Sequence, residues 1–161
     1  MWSRRPACFA LLASLALLVA SAADAAEASR AEFREAAEPI CKVDTKANGR
    51  ILAGVRVEVR LGKLGAAAAR FAKAGGALKR ALAQLELLPR PAGDEPRLAK
   101  WFETVESEVG YFEAVSQKLK AGQKDAAEQL VSKLTVTATK ANSQVLPFEF
   151  TYCRLEPSRF T

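Results

Sequence analysis

Residues 61–85 read LGKLGAAAARFAKAGGALKRALAQL. Leu61, Leu64, Ala68, Phe71, Gly75, Leu78, Leu82 and Leu85 recur at alternating steps of three and four, the spacing that lines one face of a helix packed along other helices. A strand would alternate every second residue, and this stretch does not. Ala68 and Gly75 put two nearly side-chain-free positions on that face, where a neighbouring helix can come close. The stretch therefore predicts a central helix inside an all-α bundle.

Upstream of it, Val55, Val57, Val59 and Leu61 alternate with charged residues, which taken alone reads as strand. Ile51, Val55 and Val59 fit helical spacing equally well, and no second strand is offered for pairing. Helix is therefore expected, continuous with a first helix over about 30–60. Ser29 is its N-cap, Glu32 completes a capping box, and Phe33, Ala37, Ile40 and Cys41 share a face. Gly62 and Gly65 bracket a break before the central helix. That helix, about 64–88, stops where Pro89 and Pro91 forbid continuation.

Asp94, Glu95 and Pro96 form a helix start with acidic residues and a first-turn proline. The third helix, about 95–121, carries Leu98, Phe102, Val105, Val109, Phe112 and Leu119 on one face with Trp101 beside them. A fourth, about 124–146, groups Ala127, Leu130, Leu134, Ala138, Ala141 and Val145 until Pro147 stops it. In the tail, 147–161, Phe148, Phe150 and Tyr152 alternate as an extended segment and deliver Cys153. Four such helices joined by short loops predict an up-down-up-down four-helix bundle, one domain over 27–161, with the tail folded back over one end.

Residues 1–26 read as a secretory signal peptide. Arg4 and Arg5 supply the positive start, an apolar run follows from Ala7 to Ala20, and Ala20-Ser21-Ala22 or Ala23-Asp24-Ala25 offers a cleavage site. The run is short for a membrane span, so no stable transmembrane segment is expected after cleavage. Cys8 leaves with the leader. Cys41 and Cys153 remain in an oxidising compartment, and an even count there predicts one disulfide closing most of the mature chain.

The chain has no histidine. That absence removes serine–histidine and cysteine–histidine nucleophile pairs, histidine metal sites and histidine-bound haem. It also removes the Glu-x-x-His motif with which helical bundles hold two irons. Glu103, Glu106 and Glu113 share a helical face, but paired catalytic carboxylates need a cleft that raises one pKa, and a compact bundle offers none. No enzymatic activity, cofactor or metal is expected.

Charge is unevenly distributed in a chain of net charge +6. Residues 42–80 hold ten basic side chains against two acidic, and residues 86–128 hold nine acidic against six basic. Arg56, Arg60, Lys63 and Arg70 recur at helical spacing and form a candidate anion-binding face for lipid headgroups or wall polymer, if the helix runs through them. The alternative is that they are simply solvated outer faces with weak ion pairs. Nucleic acid is not expected as a partner, because no stacking aromatics are interleaved with these cations. An internal echo, Thr45-Lys-Ala-Asn48 and Thr139-Lys-Ala-Asn142, sets up a second candidate: Asn48 and Asn142 as a buried polar pair fixing helix register.

A cysteine in the first helix, Ala-Asn before the end of the last, and Phe148-x-Phe-x-Tyr-Cys153 together form a pattern. With the Leu85–Pro91 turn and the Leu98-Ala-Lys-Trp101 helix start, it resembles an uncharacterised group of small exported all-helical proteins from high-GC (actinobacterial-type) bacteria. The resemblance implies the fold and export and supplies no activity. The expectation is a binding or structural protein of the cell envelope. Its partner would be another envelope protein met through an exposed apolar patch, or an anionic envelope surface met through the basic face.

Overall fold

A computed structural model describes residues 28–156. The leader expected at residues 1–26 and the last five residues of the tail lie outside that range. Five helices follow one another: α1 (Arg30–Ile51), α2 (Val55–Arg60), α3 (Leu64–Leu85), α4 (Glu95–Lys120) and α5 (Lys124–Gln144). Short 3-10 turns occupy Ala92–Asp94 and Leu146–Phe148, and no strand occurs among the described residues. α1 packs on α3, α3 on α4 and α4 on α5, while α2 lies against α3.

The capping box forms as expected: Ser29 Oγ accepts from the Glu32 amide and the Glu32 carboxylate accepts from the Ser29 amide. The first helix is nonetheless interrupted. α1 ends at Ile51, and Gly54 takes a left-handed φ of 77° that turns the chain before α2 begins. Gly62, at φ 73°, stops α2 in the same way. Only glycine adopts these angles at little cost, so the valine-rich stretch becomes a separate helix of 6 residues. Leu61 consequently lies outside the central seam and is 66% exposed.

The rest of the seam packs as its spacing requires. Ala68, Phe71, Gly75, Leu78, Leu82 and Leu85 are all buried. A Cβ added at Gly75 would lie 2.8 Å from Phe112 Cβ, so α3 and α4 approach as closely as a missing side chain permits. One helical turn away, Ser116 Oγ donates to the Ala68 carbonyl at 2.8 Å. That bond satisfies a buried hydroxyl that would otherwise cost free energy. The apolar faces expected on the third and fourth helices are buried too, with Leu130 half-buried.

The tail is tied down, but it is not extended. After the turn at Leu146–Phe148, Glu149 takes a left-handed φ of 53°. The chain therefore bends between Phe148 and Phe150, and the two rings stack on each other at 5.4 Å. Phe33 from α1 and Trp101 from α4 close around them, at 5.6 Å from Phe148 and 5.7 Å from Phe150. A disulfide joins Cys41 to Cys153. Around it, the Glu38 carboxylate accepts from the Thr151 and Tyr152 amides, and Thr45 Oγ1 donates to the Tyr152 carbonyl at 3.1 Å.

Candidate functional site

α2 stands where the basic residues gather. Only Val55 of this helix is fully buried, anchoring it to the core, and Val59 is half-buried. Arg56 and Arg60 are four residues apart and therefore neighbours on one helical face. Both are exposed, and neither makes an ion pair with a described residue. Val57 and Leu61, 47% and 66% exposed, stand between and beside them.

Arg56 and Arg60 form the rim of a groove of about 510 Å³. Its floor is apolar: Val55 of α2, Phe71 of α3, Val115 and Leu119 of α4 and Ala127 of α5. Val131, Ser132 and Glu128 complete the α5 wall. The Glu128 carboxylate lies 3.7 Å from Lys124 Nζ, which offsets its charge. The groove thus presents an apolar interior under two guanidinium groups.

The four cations of the expected anion-binding face do not share one environment. Arg56 and Arg60 stand together at the groove, and exposed Lys63 follows at the start of α3. Arg70 is committed elsewhere. Its Nε donates to both Glu58 carboxylate oxygens at 2.9 Å and its Nη1 donates to the Ile51 carbonyl at 2.8 Å. Arg70 thereby fastens α2 and the end of α1 to α3. The break at Gly54 and the stop at Gly62 separate what a continuous helix would have aligned.

The two asparagines have separate partners. Asn48 is buried and its Nδ2 donates to both Asp44 carboxylate oxygens at 3.1 Å. Asn142 clamps the tail, donating to the Leu155 carbonyl at 2.7 Å and accepting from the Leu155 amide at 3.0 Å. Each asparagine fixes a neighbouring segment, one within α1 and one at the C-terminal end.

A further polar feature did not emerge from the sequence. Glu108 on α4 is completely buried, and neither of its carboxylate oxygens has a hydrogen-bond partner among the described residues. Burial raises its pKa to about 8, and the negative charge of Asp44 adds to the rise. Asp44, half-buried on α1, is itself pushed up to about 6 by desolvation, against the opposing influence of Asn48 and Arg80. The signal was present in the spacing. Glu108 falls three residues after Val105 and four before Phe112, on the buried stripe, and Asp44 falls three after Cys41.

No protein-family model, curated protein or solved structure matches the chain. Among the described residues, no helix is long and apolar enough to cross a membrane.

Proposed function

We propose that this chain is an exported, non-enzymatic binding protein that attaches to an anionic envelope surface through the α2 end. The observation that carries this reading is the juxtaposition of Arg56 and Arg60 with exposed Val57 and Leu61. Cations beside protruding apolar side chains suit the headgroup region of an anionic lipid layer, where each cation contributes about 1 kcal/mol. The other exposed large apolar residues, Val43, Leu87, Val136 and Leu146, come singly from separate parts of the chain. They give less support to docking through a large apolar patch.

Export is supported by the Cys41–Cys153 disulfide, which suits an oxidising compartment. The leader expected at residues 1–26 would direct it there. An up-down-up-down course is supported by the pairing of Ala68 with Ser116 and of Gly75 with Phe112, which opposes rising numbers on α3 to falling numbers on α4.

Co-sedimentation with phosphatidylglycerol-containing vesicles tests the reading. Binding should fall as salt rises, because exposed charges are screened. The double substitution Arg56→Gln/Arg60→Gln should weaken it about thirtyfold, the equivalent of two surface cations. Binding indifferent to salt and to this substitution would overturn the reading.

A further inference from the structure

We infer that the groove beneath Arg56 and Arg60 is a binding site for a single long-chain carboxylate, a fatty-acid anion. The inference deepens the proposed anionic attachment and rests on it for the role of the two arginines. Two features of different chemistry meet here. Over a buried floor of Phe71, Val115, Leu119 and Ala127, the half-buried Val59 and Val131 offer apolar surface that an inorganic anion or an acidic sugar would not match, with Glu128 and Ser132 on the α5 side. The rim offers two guanidinium groups, which repel an alkylammonium and match a carboxylate in charge and in bidentate geometry.

Size narrows the occupant further. A volume of about 510 Å³ lies within the range of small-molecule sites, which leave room for one alkyl chain more readily than for a two-chain lipid. The rim is also held in place. Val55 is buried beneath α2, and the Glu58–Arg70 pair fastens the same helix to α3, so Arg56 and Arg60 are carried on an anchored segment. Pre-positioned groups lose less freedom when a ligand arrives. The carboxylate is placed at Arg56 and Arg60, and the chain lies along the groove between Val59 and Val131.

Titration of the purified chain with decanoate, laurate and myristate, each below its micellar concentration, tests the site by calorimetry and native mass spectrometry. One-to-one binding should tighten about fourfold per added methylene until the groove is filled. Arg56→Gln/Arg60→Gln should weaken laurate at least tenfold and leave dodecanol unchanged, since only the head is affected. Ser132→Leu, an exposed wall position, should weaken myristate more than decanoate.

Equal affinity across chain lengths would overturn the inference, as would dodecyltrimethylammonium binding as tightly as laurate. Salt-sensitive vesicle binding without any laurate binding would remove the acyl site and leave surface attachment standing. Chain-length-dependent laurate binding without vesicle binding would do the reverse.

Discussion

Glu108 makes the stability of this protein depend on pH in an unusual direction. In the folded chain it keeps its proton up to about pH 8, whereas its ordinary value is 4.5. Between those limits the folded state holds a proton that the unfolded state has released. Raising the pH through this window therefore favours unfolding, by about 1.4 kcal/mol per unit. Asp44 acts with the same sign, but only between its ordinary 3.8 and about 6. From pH 6 to 8 the slope belongs mainly to Glu108, and because it tapers as pH reaches the folded value the loss across that span is about 2 kcal/mol. Against a typical stability of about 5–15 kcal/mol this is a large fraction. Glu108→Gln keeps the shape and removes the titration. Urea unfolding at several pH values should show the wild-type midpoint falling between pH 6 and 8 while the variant stays nearly level. Parallel curves for the two proteins would refute the reasoning, because they would mean that Glu108 reaches solvent or a partner that lets it ionise.

Other consequences follow from single contacts. Gly75→Ala should lower stability by about 1–3 kcal/mol, since its Cβ would meet Phe112 Cβ at 2.8 Å. Gly76→Ala, on the same helix, meets only the mobile end of Arg80 at 3.6 Å and should raise stability by up to about 1 kcal/mol; thermal melts of the pair provide the comparison. Replacing both Cys41 and Cys153 by serine should cost roughly 4–5 kcal/mol, the chain-entropy value for a loop of sequence separation 112, read as a lower urea midpoint. Asp94 is buried and hydrogen-bonded to Arg30, which holds its carboxyl below the usual range. Its contribution is therefore present at neutral pH and lost as pH falls through that lowered value. Asp94→Asn should remove this acid-side loss from the stability profile while lowering stability at pH 7 by about 1 kcal/mol.

Helices were legible wherever a long apolar period ran without a glycine taking the left-handed conformation. The seam of α3, the face of α4 and the capping box at Ser29 all came from spacing and cap chemistry alone, and the close approach at Gly75 from the residue's size. The boundary at Ile51 was not legible, because Gly54 is one residue whose left-handed turn overrides a helical period on both sides. The tail alternates like a strand, yet the left-handed turn at Glu149 folds Phe148 and Phe150 together against Phe33 and Trp101, contacts between distant segments that the local alternation does not encode. At the candidate site, Arg56 and Arg60 were visible as cations at helical spacing. The groove beneath them was not, since its floor is assembled from four separate helices. Arg70 looked like their equivalent in sequence, and only tertiary contact assigns it to Glu58. Glu108 was hidden by the ordinary expectation that a charged residue faces water.

The most direct measurement is amide hydrogen exchange along the chain, with and without phosphatidylglycerol vesicles. Protection should rise from Val55 to Lys63 and along the adjoining groove residues of α4 and α5, with the aromatic and disulfide-tied end unchanged. Protection gained only at that opposite end, or nowhere, would contradict attachment through α2.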